Sequence, residues 1–299
     1  MPLTAQAQCP AKIHLFHEFA GLRGGKLQTA DLVAKISLYD VIDASPAPSG
    51  LALEIVDETG GSPGPEAGPR HPALRAAEAF RREFRMGPGV QLRLTKRIPA
   101  GGGLGCGDSQ AAGVLRALTR LHRLERDASR LRRVRAVGVR LGGYVPFFLS
   151  RNPMAGFTGA GRAPRYLTSP RALPWLLLAS SGAAPRKRPS GPPLEVPRRE
   201  SVLTSLSHLG TLKTKLEKGR PISEWAGLLF NRHEESVFRL RPELRQVREL
   251  LTRLGLEGAR LSGPGDFVFA FASSREEGEA AMKRLRGYPW KVFLACCLG

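Results

Sequence analysis

The chain is short of cysteine, of aromatic rings and of negative charge, and it has no long apolar run. Its four cysteines, Cys9, Cys106, Cys296 and Cys297, include no CxxC pair, and the adjacent Cys296–Cys297 is poor geometry for an ordinary disulfide. Reduced thiols and a cytoplasmic setting are expected. Aromatic residues make up 7%, a thin supply for the stacking platforms of single-strand nucleic-acid binders. The apolar stretch 173–179 (LPWLLLA) falls far short of the roughly 20 residues a membrane span needs, so it reads as a buried strand. Met1 to Gln6 has neither a basic segment nor an apolar core, and no signal peptide is expected. Acidic residues number 26 against 46 Lys and Arg, for a net charge of +20. That excess points to anionic partners, nucleic acid or phosphorylated metabolites, without choosing between them.

What is present is globular. The 299 residues are 42% hydrophobic and 24% charged, enough for two ordinary domains or one large one. Alternation of apolar and polar residues predicts strands over 11–20, 32–42, 51–56, 91–98, 173–179, 267–271 and 290–295. Helical spacing predicts helices over 73–85, opened by Pro72, and over 109–124, 202–218, 222–230, 242–254 and 276–285. Residues 57–72 and 185–199 are rich in Gly, Pro or basic residues and read as loops. Strands and helices mix without a strict βαβ rhythm, which argues for an α+β fold.

The most informative stretch is 96–112, KRIPAGGGLGCGDSQAA, where a strand enters a run of glycines and a helix leaves it. Glycines bring backbone N–H groups close to a ligand, and a helix N-terminus adds donors and partial positive charge, so a polyphosphate is the expected ligand. The run is neither a Walker A sequence nor a dinucleotide fingerprint. Asp108 is expected to cap the following helix. Cys106 sits at a helix start, a setting that can lower a thiol pKa, although a passive stand-in for glycine is the favoured reading. His14 and His17 lie three apart on a predicted strand, hence on opposite faces where they could not share a metal, and no metal site of the protein's own is expected. Glu234–Glu235 reads as a solvated face. Ser262 lacks a nucleophile-elbow pattern, so a hydrolase has little support. The arginine run from Arg116 to Arg140 could touch phosphate backbones nonspecifically, but no nucleic-acid recognition motif accompanies it.

The glycine segment resembles the phosphate-binding motif of the GHMP kinases. It is most similar to the branch acting on 4-diphosphocytidyl-2-C-methyl-D-erythritol, typically PxGGGLGGGSSNAA. Pro10-Ala11-Lys12-Ile13-His14-Leu15 resembles that branch's PAKINL, and Leu141 to Phe148 (LGGYVPFF) resembles LGADVPFF. Ser262-Gly263-Pro264-Gly265 resembles its late SGxG loop, and Asn231 ahead of Arg241-Pro242-Glu243-Leu244 resembles an ND…YPEL segment. The resemblance implies a domain like ribosomal protein S5 domain 2 over 1–157 and a ferredoxin-like domain over 158–299. It implies ATP, with Mg²⁺, across Pro99, Gly101, Gly102, Gly103, Leu104, Gly105, Cys106, Gly107 and Ser109. The implied catalytic lysine is Lys12, and Tyr144 stands where the family has its aspartate. A small diphosphate-bearing alcohol would meet His14, Lys26, Gly263 and Gly265. The implied function is phosphorylation of a hydroxyl in non-mevalonate isoprenoid biosynthesis, with no membrane and no specific nucleic-acid partner. Other departures are His14 for asparagine, Lys26-Leu27 for the Tyr-His pair that contacts cytosine in the segment aligned with Gly25 to Thr29, and Asp108 and Gln110 within the SSN triplet.

Overall fold

The computed structural model describes residues 4–23, 26–60, 68–87, 89–159, 163–167, 174–182 and 199–298. Strands β1 (Ala5–Arg23) and β2 (Lys26–Ala47) form a long antiparallel pair. The later half of β2 pairs with β4 (Gly89–Lys96), beside which β3 (Leu51–Asp57) runs parallel. The earlier half of β2 pairs with β5 (Met154–Gly159), extended by β6 (Arg165–Tyr166). Helices α1 (Pro72–Phe84), α2 (Cys106–Leu121), α3 (Ala128–Leu141) and α4 (Val145–Leu149) contribute to one apolar layer with this sheet.

A second sheet has the order β11 (Lys291–Cys296), β7 (Trp175–Ser180), β10 (Val268–Ala272), β9 (Glu257–Leu261), and every neighbour is antiparallel. Its two central strands, β7 and β10, are apolar on both faces, and both of those faces are covered. Val268, Ala270 and Ala272 pack in a layer with residues of α6 (Glu234–Leu240), α7 (Pro242–Arg253) and α8 (Arg275–Leu285). Phe267, Phe269 and Phe271 point the other way, into a layer shared with Ile13, Leu15, Leu32 and Ile36 of the first sheet and Leu209, Leu212 and Leu216 of α5 (Arg199–Glu217). Burying each phenylalanine contributes about 1.5–3 kcal/mol, so this shared layer holds the two sheets together. Strand β8 (Phe230–Asn231) then crosses to the first sheet and pairs in parallel with β1 at Phe16 and His17.

The α+β reading holds, with differences that have local causes. Instead of a helix over 222–230 there are two 3-10 turns, Ile222–Glu224 and Ala226–Leu228, followed by β8. Gly227, in the interior of the expected span, disfavours a longer helix there. Helix α3 was hidden by its arginines, although Val134 and Val137 form its buried stripe. Those arginines are partly committed within the fold: Arg133 and Arg140 flank Glu83 at 2.9 and 2.8 Å. Arg116 donates to the carbonyl of Phe148 at 2.8 Å. Most of the expected loop at 185–199 lies outside the described residues, as do residues 61–67 of the earlier one. Among the described residues no helix is long and apolar enough to cross a membrane.

Candidate phosphate-binding and acceptor site

The glycine loop is anchored before it begins. Asp40 of β2, fully buried, accepts from the amides of Arg97 and Ile98 and from Gln110 Nε2, each at 2.7 Å. Burial pushes its carboxyl up from the ordinary value, while these donors pull it back. Asp40→Ala would leave three donors without an acceptor, two of them buried at a cost of about 1–3 kcal/mol each. A fall of several degrees in the thermal midpoint is expected, with a smaller one for Asp40→Asn, which keeps a carbonyl oxygen. An unchanged midpoint for Asp40→Ala would remove the anchoring role.

Gly101, Gly103 and Gly105 take left-handed φ values of 75°, 73° and 74°. A Cβ on Gly103 would lie 1.9 Å from the Ser262 carbonyl, and one on Gly265 would lie 2.1 Å from the Gly103 nitrogen. The glycine loop and the Ser262–Gly265 turn therefore meet backbone to backbone, with Ser262 Oγ donating to the Gly103 carbonyl at 3.3 Å. Pro99, Gly102 and Leu104 are buried, and a Cβ on Gly102 would meet the Phe267 ring. Lys12 is folded onto the same loop. Its amide donates to the Leu104 carbonyl at 2.9 Å, and Nζ donates to the Gly103 carbonyl and to His14 Nδ1, both at 2.7 Å. Burial pushes the lysine down from 10.5 to about 7, against the pull of Asp31, Asp108 and Cys106.

Helix α2 begins at Cys106 with Gly105 as its N-cap, so Asp108 lies inside the first turn and does not cap it. Its Oδ2 accepts the Tyr144 amide at 2.9 Å, and a Cβ on Gly142 would lie 2.3 Å from its Oδ1. The carboxylate thus fixes the entry to α4. Ser109 is buried and donates to the Pro10 carbonyl at 2.6 Å, fastening α2 to β1. Burial raises the Cys106 thiol rather than lowering it, and all four cysteines are free.

The histidine pair requires the main correction. A bulge between His14 and Phe16 sends both Leu15 and Phe16 into the apolar layer, so His14 and His17 emerge on the same face. Their rings are 5.5 Å apart. His17 Nδ1 bonds Asp31 Oδ1. Asp31 Oδ2 accepts Thr29 Oγ1 at 2.9 Å and, in a long contact, the Tyr144 hydroxyl at 3.4 Å. His14 Nε2 lies 3.1 Å from the Tyr144 hydroxyl, and burial beside Lys12 holds the imidazole well below its usual range. Ligand atoms of His14, His17 and Asp31 lie within 4.8 Å of one another, so the expectation that the two histidines could not share a cation fails on geometry. Both nitrogens of His14 are, however, already engaged by Lys12 and Tyr144.

His233 stacks on His17 with centroids 4.7 Å apart, and burial pushes it down to about 4. Asn231 places it: Oδ1 accepts the His233 amide at 3.0 Å while Nδ2 donates to the carbonyls of Leu261 and Gly263 at 2.8 and 2.9 Å. Arg232 pairs with the buried Glu18 at 2.7 and 2.5 Å, tying this segment to β1. Gly263 leaves room for His14, since a Cβ there would lie 2.8 Å from Nδ1. Glu234 is not solvated: it accepts the Leu261 amide at 2.8 Å and pairs with Arg248 at 2.9 Å. Lys26 pairs through its backbone with Arg23 at the end of the β1–β2 ladder; its side chain and Gly25 lie outside the described residues. Asp31 and His233 were missed. The signal for Asp31 was an acid set between Ala30 and Leu32 in an apolar strand.

A glycine loop opens a helix here, with a buried lysine folded against it and a polar pocket beside the lysine, an arrangement whose chemistry suits phosphoryl transfer of the small-molecule kinase class. Residues 71–150 match the GHMP kinases N terminal domain and residues 213–289 match GHMP kinases C terminal. Over 294 residues the chain is 30% identical to 4-diphosphocytidyl-2-C-methyl-D-erythritol kinase of Syntrophus aciditrophicus, covering 95% of this chain and 96% of that one. It is 33% identical over 286 residues to the enzyme of that name from Thermus thermophilus, covering 93% and 92%. A crystal structure of 4-(cytidine 5'-diphospho)-2C-methyl-D-erythritol kinase superposes with a TM-score of 0.75 at 29% identity, covering 98% of this chain and 99% of that one. Homoserine kinase from Cytophaga hutchinsonii shares the fold, with a TM-score of 0.74 at 14% identity, over 100% and 95%. The chain belongs to the GHMP kinases and is an ATP-dependent phosphotransferase.

Proposed function

We propose that the chain transfers the γ-phosphoryl group of Mg²⁺-bound ATP to a hydroxyl of 4-diphosphocytidyl-2-C-methyl-D-erythritol. The observation that carries this reading is the placement of Lys12 between the glycine loop, through Gly103, and the polar pocket, through His14. A cation there neutralises charge on the phosphoryl group at the point where the alcohol approaches it, and positioning with charge neutralisation is most of what this chemistry asks of a protein. The glycines and the N-terminus of α2 suit the phosphates of ATP. The near-full-length likeness to kinases of that name supports the acceptor. Purified protein with ATP, Mg²⁺ and this alcohol is expected to release ADP in proportion to acceptor consumed. Release no faster than without the alcohol would overturn the acceptor assignment.

A further inference from the structure

Resting on this phosphotransfer reading, we infer that His17, oriented by Asp31, is the proton acceptor for the alcohol, in place of the aspartate whose position Tyr144 occupies. The hydrogen bonds of the pocket leave one atom for the task. Lys12 donates to His14 Nδ1, so the His14 proton is on Nε2 and points at the Tyr144 oxygen. The Tyr144 hydroxyl is then left to donate toward Asp31 Oδ2, which also takes the Thr29 hydroxyl. A carboxylate oxygen only accepts, so neutral His17 carries its proton on Nδ1, facing Asp31 Oδ1, and its Nε2 then keeps a lone pair. Among the described residues, His17 Nε2 and Arg81 Nε are the buried side-chain polar atoms with no partner. Arg81 sits on α1, whereas His17 lies beside His14, Asp31 and His233. A buried acceptor without a donor is costly unless a ligand supplies one, and an alcohol O–H is such a donor.

The other candidates are spent. Tyr144 is driven well above its usual range by burial and by Asp31, so it stays a protonated phenol. Lys12 serves as a cation, and His14 has no free nitrogen. Imidazole held by a carboxylate, with its second nitrogen bare, is a general-base arrangement. In the step, the hydroxyl oxygen bonds to the γ-phosphorus as the bond from that phosphorus to the β,γ-bridging oxygen breaks, its electron pair leaving with ADP. The hydroxyl proton passes to His17 Nε2, Asp31 stabilises the imidazolium, and the proton returns to solvent as product departs.

The test measures ADP release by wild type, His17→Gln, Asp31→Asn and Tyr144→Phe, with the diphosphocytidyl alcohol, simpler polyols and water as acceptors. ATP affinity and thermal midpoint serve as checks on folding. His17→Gln is expected to lower kcat about 10²–10⁴-fold with KM and ATP affinity little changed. Asp31→Asn should lose comparably, and Tyr144→Phe only about tenfold, because it loses a support rather than the base. A folded His17→Gln within threefold of wild type, or Tyr144→Phe falling as far as His17→Gln, overturns the proposal. Should the diphosphocytidyl alcohol fail while another acceptor or water depends on His17, the acceptor assignment falls and His17 stands. No ADP release with any acceptor would overturn both.

Discussion

Gly103→Ala is expected to weaken ATP binding at least tenfold, equivalent to about 1.4 kcal/mol, and to lower kcat with it. Two costs fall on the one methyl group. A left-handed alanine is about 1–2 kcal/mol worse than glycine, and forcing an atom into a filled space adds about 1–3 kcal/mol. The clash is with the backbone carbonyl of Ser262 at 1.9 Å, so no side-chain rotation relieves it. The loop must move away from Ser262, taking with it the carbonyl that holds Lys12 Nζ. Gly60→Ala separates the two costs: its φ is 63°, but a Cβ there meets nothing within 4 Å. That variant is expected to lose stability and keep its ATP affinity. If titration calorimetry finds the two variants alike in ATP affinity, contact between the loops does not shape the nucleotide site.

Lys12→Met is expected to lower kcat about 10²–10³-fold, the scale of losing one electrostatic contact to the transition state. Its effect on stability should run the other way. Lys12 keeps its proton up to about pH 7 in the folded chain, but up to about pH 10.5 when unfolded. Between those values the unfolded state holds more protons, so wild-type stability rises with pH, and the burial penalty is complete only below the lower one. At about 1.4 kcal/mol per pH unit, the methionine variant should be a few kcal/mol more stable at pH 6, with the gap closing as pH rises toward 10. Bound phosphate raises the lysine pKa, so ATP binding takes up a proton near neutrality. Wild-type ATP affinity should therefore weaken from pH 7 to pH 9, whereas the variant's should be nearly flat. A wild-type profile as flat as the variant's would take Lys12 out of nucleotide binding.

Much of this arrangement was legible in residue order, for identifiable reasons. A glycine segment announces itself because only glycine accepts those dihedrals, and the Lys12 and Ser262–Gly265 segments stand out by motif. The pocket was less legible because its geometry depends on one inserted residue. Alternation counts Leu15 and Phe16 on opposite faces, whereas the bulge turns both inward and brings His14 and His17 together. Nothing in the order of residues marks that bulge. Asp108 suits an N-cap by type, but α2 starts three residues earlier than expected, at Cys106, and gives it to Tyr144 instead. His233 could not be placed because it reaches His17 only through the parallel pairing of β8 with β1, a contact across more than two hundred residues. The arginines of α3 swamped its apolar stripe, and charge is a poor guide to which face a helix buries.

The contact between Gly103 and Ser262 also bears on how the chain can be divided. A fragment ending after β5 would carry Lys12, Asp31, Tyr144 and every glycine of the loop. It would lack the carbonyl against which Gly103 rests, the strand that pairs with Phe16 and His17, and the ring stacked on His17. The recognisable motif and the working catalyst therefore have different lengths: the first fits in half a polypeptide, and the second needs both halves.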